Sequence, residues 1–214
     1  MSRVLMSRVF SNPGLINPGL ILAVAFAAAG CSGRRAEWQI PPDLDPPGIT
    51  GCLMKAADGD GDGRLTGDEL MAVPALQSAV SVLDADGDSS LAAAEVEAWL
   101  TSVVQEGLAA QEAPLRVTQD GRPVADALVR LVPEPCMGDG IEPAEGRTDE
   151  TGLVFLNIPT RRTGGVRCGL YRMEIRGKGV DGQPLPARYN SATTLGYALG
   201  AGLPEPRTPE VDLD

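Results

Sequence analysis

The sequence predicts an α+β chain in which a small helical module precedes an antiparallel β-sandwich. Two acidic windows, each flanked by apolar residues at helical spacing, define the first part. Short period-two runs separated by Gly, Asp and Pro define the second, from Leu115 onward. At 214 residues the chain has room for one or two modest domains once any processed segment is removed.

Residues 1–30 place Arg3 and Arg8 ahead of an apolar stretch from Leu20 to Ala29, closed by Gly30 and Cys31. A basic head, an apolar run of about ten residues and small residues before a break predict a secretory signal. The run is too short to cross a bilayer, which takes roughly 20 apolar residues. Its end, AAGCSG, resembles a bacterial lipobox. That resemblance implies cleavage before Cys31, lipidation of Cys31 and lipid anchoring outside the cytoplasm, on the cell membrane or outer membrane. An ordinary secretory signal ending beside a cysteine is the alternative. Residues 31–48 are Pro-rich with little periodicity and predict an extended tether, in which Trp38 reads as a packing residue. The helical module is expected at 49–112 and the sandwich at 113–214.

The charge balance narrows the chemistry. Acidic residues number 29 against 18 basic ones, for a formal charge of −11 and no basic block, which argues against nucleic acid as a partner. The chain has no histidine, which excludes imidazole acid–base catalysis, His-dependent nucleophiles and His-ligated zinc. A carboxylate-based hydrolase is the enzymatic alternative, but no pair of carboxylates outside the acidic windows forms an evident acid–base couple. A non-enzymatic protein is expected.

The first window, DGDGDGRLTGDE, places Asp58, Asp60, Asp62 and Glu69 at positions 1, 3, 5 and 12, with Gly63 at 6, Arg64 at 7 and Leu65 at 8. This spacing resembles the EF-hand calcium loop. Calcium takes six to eight hard oxygen ligands, and the resemblance assigns them to the four carboxylates and the Arg64 carbonyl. The second window, DADGDSSLAAAE, repeats the pattern with Asp84, Asp86, Asp88 and Glu95, and places Ser90 at 7 and Leu91 at 8. At this chain's acidic content, one such four-acid window arises by chance roughly 0.07 times per chain. Two of them, each with Leu at position 8, exceed what composition supplies.

The flanks carry helical spacing. Leu53, Met54 and Ala57 precede the first window, and Leu76, Ala79, Val80 and Leu83 precede the second. Val96, Trp99, Leu100, Val103 and Val104 line one side of an exit helix. Pro74 breaks the helix between the windows, and Leu65 and Leu91 are expected on a short bridge pairing them. The close spacing of the loops resembles compact EF-hand pairs of bacterial secreted proteins more than a calmodulin-like sensor.

In the C-terminal part, ADALVRLV alternates so that Ala127, Val129 and Leu131 share a face, and YRMEI turns Tyr171, Met173 and Ile175 inward. DGRPVADALVRLVP, GRTDETGLVFL, GLYRMEI and LPARYN, followed by a last strand ending in VDL, resemble the carboxypeptidase-regulatory-like, transthyretin-like domains of bacterial lipoproteins. The resemblance implies a structural or binding module rather than a peptidase. With Cys31 lipidated, an oxidising compartment favours a Cys136–Cys168 bridge and leaves Cys52 as a small buried apolar residue. Arg161 and Arg162 read as a solvated pair, and Glu142, Glu145, Asp149 and Glu150 as ordinary loop charge.

The expected function is therefore calcium binding in a lipid-anchored protein, with Ca2+ stabilising the helical pair. A calcium-dependent adaptor or sensor for a surface or envelope protein is the alternative. The second loop departs from the pattern in two ways: Ser89 replaces the position-6 glycine, and Ala92 at position 9 offers no side-chain oxygen. A left-handed backbone at Ser89 costs on the order of 1–2 kcal/mol. The second site is expected to be at least about tenfold weaker, since 1.4 kcal/mol corresponds to a factor of ten. A calcium titration resolving two equal sites contradicts that ranking.

Overall fold

The computed structural model describes residues 41–161, 164–203 and 208–214. The expected leader, Cys31, most of the tether including Trp38, and Arg162 lie outside the described residues. Among the described residues, no helix is long and apolar enough to cross a membrane.

The architecture is α+β with small, mainly antiparallel sheets. Helix α1 spans Pro46–Ala57. Pro46 and Pro47 lie in its first turn, where a missing N–H removes no helical hydrogen bond. They therefore open a helix instead of extending the tether to residue 48, and Leu44 just before them is already buried. Ile49, Leu53 and Ala57, four residues apart, form its buried stripe.

Two-residue strand β1 (Arg64–Leu65) follows the first acidic window, then α2 (Gly67–Ala72) and α3 (Pro74–Leu83). Pro74 cannot supply the N–H that would continue α2 into α3, so the break falls where the sequence places it. Strand β2 (Leu91–Ala92) and α4 (Ala93–Gln105) follow the second window. Helix α4 buries Val96, Trp99, Leu100 and Val103. Val104, expected on the same side, lies a further 100° around the helix from Val103 and is exposed.

The remaining strands are β3 (Ala110–Gln111), β4 (Ala113–Gln119), β5 (Arg122–Pro123), β6 (Leu128–Pro133), β7 (Ala144–Arg147), β8 (Leu153–Leu156), β9 (Val166–Arg167), β10 (Gly169–Arg176), β11 (Gly196–Leu199) and β12 (Glu210–Leu213). One sheet runs β11-β10-β6-β7; in the other, β4 carries β12 on one edge and β5 and β8 on the other, and β3 pairs with β9. Met173 faces Leu131 and Ile175 faces Val129 in register, and all four side chains are buried with Tyr171 and Ala127, as the alternation predicts. One pairing departs from the antiparallel expectation: β12 runs parallel to β4. No hairpin joins these two strands, so no tight turn constrains their relative direction.

Helices and sheets belong to one compact unit, Arg35–Asp214, and their apolar faces merge in a continuous buried cluster. Three contacts define the seam. Helix α3 packs on β11 so closely that a Cβ on Gly196 would lie 1.8 Å from the Pro74 carbonyl oxygen. The Trp99 indole donates a 2.9 Å hydrogen bond to the Ala201 carbonyl. Glu134, almost fully buried just after β6, meets the Ala75 N–H at the start of α3 and lies 3.5 Å from the Arg172 guanidinium of β10. Burial pushes its carboxyl up, and Arg172 and the Ala75 N–H at the start of α3 partly offset that.

The disulfide also crosses this seam. Cys52 on α1 pairs with Cys136 in the short 3-10 turn Pro135–Met137, with Cα atoms 5.7 Å apart. This replaces the expected Cys136–Cys168 bridge and the expected buried, single Cys52. Cys168 lies between β9 and β10 with its side chain in the core as a free thiol. Burial, and secondarily the Glu106 charge, push that thiol up to about 12. Helix α1 packs against the Cys136 turn and brings Cys52 to it.

Two further expectations are corrected. Arg161 is not a solvated charge: its guanidinium contacts Glu142 at 2.5 Å and 2.6 Å, and Glu142 also lies 4.0 Å from Arg167. Asp149 accepts hydrogen bonds from the Thr151 hydroxyl and from the Thr151 and Leu153 N–H groups, closing the turn into β8.

Because backbone rather than a flexible side chain faces Gly196, Gly196→Ala is expected to lower unfolding stability by about 2–3 kcal/mol. Urea denaturation checks this, and an unchanged midpoint would contradict the close approach.

Candidate metal centre

Both acidic windows fold the same way, because each aspartate accepts hydrogen bonds from the backbone that follows it. Asp58 accepts from the Gly61 N–H at 2.7 Å and the Gly63 N–H at 3.0 Å. Asp84 repeats this with the Gly87 N–H at 2.8 Å and the Ser89 N–H at 2.9 Å. Asp60 accepts from the Asp62 N–H, and Asp62 from the Arg64 N–H; Asp86 and Asp88 do the same with the Asp88 and Ser90 N–H groups. Such local bonds compete with helix and turn the chain into a tight curl.

Left-handed residues set the curl. Gly63 has φ +82° and Ser89 φ +67°, so Ser89 adopts the conformation that its position-6 place demands. Gly61 and Gly87, at position 4 of each window, also have positive φ, +75° and +74°. The sequence reading did not single these two out, although a glycine at position 4 of both windows was the available signal.

The closing glutamates are held from two sides. Glu69 accepts from the Gly59 N–H at 2.8 Å and the Thr66 N–H at 3.1 Å, and with Thr66 forms a capping box at the start of α2. Glu95 accepts from the Ala85 N–H at 2.8 Å and the Ala92 N–H at 2.9 Å. The Thr66 N–H, followed by that of Gly59, holds Glu69 below the usual carboxylate range. For Glu95 the Ala92 N–H is the main cause, with Ala85 and Asp86 adding to it.

Between the loops, β1 and β2 pair antiparallel, with Arg64 opposite Ala92 and Leu65 opposite Leu91. Both leucines are completely buried, so position 8 anchors each loop to the core and to the other. This bridge is the one the spacing predicts.

Carboxylate oxygens of Asp58, Asp60 and Glu69 lie within 4.8 Å of one another, and so do those of Asp84, Asp86 and Asp88. Each cluster could hold a metal ion. Asp62 stands outside the first trio and Glu95 outside the second, each engaged with loop backbone. Ser90 is buried at position 7 of the second loop, its hydroxyl donating to Asp88 at 2.6 Å. Arg64, expected to contribute only its carbonyl, sends its side chain across to Asp86, Asp88 and Ser90. The side-chain donors are all oxygens, which fits a hard cation and offers nothing to a soft one.

No family model matches the chain, and no curated protein or solved structure is significantly similar to it.

The left-handed backbone at Ser89 costs on the order of 1–2 kcal/mol for a residue with a Cβ. Ser89→Gly is expected to raise unfolding stability by about 1 kcal/mol, read from the thermal or urea midpoint. A lowered midpoint would mean that the hydroxyl, not the backbone, matters at this position.

Proposed function

We propose that each acidic loop binds one calcium ion and that the ions hold together a compact EF-hand pair. In this reading the pair sits against a non-catalytic, transthyretin-like sandwich in a lipid-anchored extracytoplasmic protein. The observation that carries the proposal is the repetition: two twelve-residue loops with the same backbone curl, joined through Leu65 and Leu91. A solvated acidic turn has no need to be duplicated with its position-8 leucine buried.

In the first loop, Asp58, Asp60 and Asp62 offer carboxylates, Arg64 its carbonyl and Glu69 a bidentate closing group. In the second, Asp84, Asp86, Asp88, the Ser90 carbonyl and Glu95 take the same roles. Bound calcium supplies positive charge that relieves repulsion among carboxylates held this close. Dissociation constants of about 10⁻⁴–10⁻³ M suffice outside the cell. At about 1 mM calcium they correspond to about 0.4–1.4 kcal/mol of stabilisation per site.

Two features support a structural ion over a switch. Helix α3, which leads into the second loop, packs backbone to backbone on β11 at Gly196. The Cys52–Cys136 bond ties α1, which leads into the first loop, to the sheet. That disulfide also supports an oxidising, extracytoplasmic setting.

Calorimetric titration with calcium, beside Glu69→Gln and Glu95→Gln, tests the proposal. Two binding events are expected, one weakened at least tenfold in each variant. Absence of heat together with no rise in melting temperature at millimolar calcium would overturn it.

A further inference from the structure

The two loops are not symmetric, and Arg64 is the reason. It stands at position 7 of the first loop, where its carbonyl is the expected ligand. Its side chain leaves that loop altogether. Pairing across the bridge sets Arg64 opposite Ala92, whose methyl is the only side-chain group there. The guanidinium reaches the second loop, where its Nε donates to the Ser90 hydroxyl at 2.8 Å. Its Nη2 pairs with the Asp88 carboxylate and lies 3.6 Å from that of Asp86. Asp86 and Asp88 belong to the second carboxylate trio. Among the described residues no ion pair reaches the first loop's carboxylates, and the equivalent position in the second loop is Ser90.

We infer that Arg64 is a tethered cation of the second loop, so that calcium enters there only by exchange with the guanidinium. The inference rests on the calcium reading of both loops. Filling the first loop uses the Arg64 carbonyl and leaves its side chain in place. Filling the second draws Asp86 and Asp88 onto a doubly charged ion and repels the guanidinium into solvent. The Arg64 side chain is 36% exposed, so water screens the pair and the penalty is modest. A three- to tenfold weakening of the second site is the expected size. It acts separately from the backbone conformation of Ser89, and it makes the first loop fill before the second.

The test uses the full chain, wild type and Arg64→Gln, with calcium as the titrant and the Glu69→Gln and Glu95→Gln backgrounds to assign each site. Arg64→Gln is expected to strengthen the second site three- to tenfold, read in the Glu69→Gln background where the first site is weakened. In calcium-free, low-salt buffer the same variant should melt at a lower temperature, because the second loop loses its counter-charge. That difference should shrink in high salt as screening grows. Two functional sites with the second unchanged by Arg64→Gln would overturn the exchange. A calcium-free melting shift without calcium binding by either protein would also overturn it, leaving Arg64 as a permanent counter-charge. In that case the calcium reading fails as well, and the missing binding in wild type distinguishes this outcome from failure of the exchange alone.

Discussion

Carboxylates crowded around a bridge only two residues long are the constraint on which the rest of the helical half depends. The Leu65–Leu91 pairing forces the acidic loops to lie side by side, and both leucines are anchored in the core. Mutual repulsion then has to be met locally. Backbone N–H groups aimed at Asp58, Asp84, Glu69 and Glu95 meet part of it. Arg64 meets another part, but only on the second loop. The proposed ions complete the same task.

The seam between helices and sheets sets how much this half can move. Gly196 admits the backbone of Pro74, Trp99 reaches the Ala201 carbonyl, and the disulfide joins α1 to the turn after β6. A helix pair that opens on binding an ion needs its helices free to rotate away from one another. Here the helices leading into each loop are held by the sheet. For the proposed ions, this packing supports a stabilising role over a signalling one.

Much of the site was legible in the sequence because its information is local. Loop positions 1, 3, 5 and 12 act within a dozen residues through carboxylates that bond loop backbone, position 6 through its left-handed conformation and position 8 through burial. The sheet faces were legible for the same reason: alternation in ADALVRLV and YRMEI reports burial strand by strand. The position-4 glycines, Gly61 and Gly87, were readable too, since both recur in register.

The sequence by itself determined the α+β class, the break at Pro74, the two acidic loops and their leucine bridge. Only the tertiary structure decided which cysteine meets Cys136, that β12 joins β4 in parallel, that Glu142 takes Arg161, and where the Arg64 side chain goes. The first group depends on spacing along the chain, which hydrogen-bond geometry and the periods of helix and strand translate directly. The second depends on which distant surfaces pack together, and that is set by the shape of the whole core rather than by any short stretch of residues.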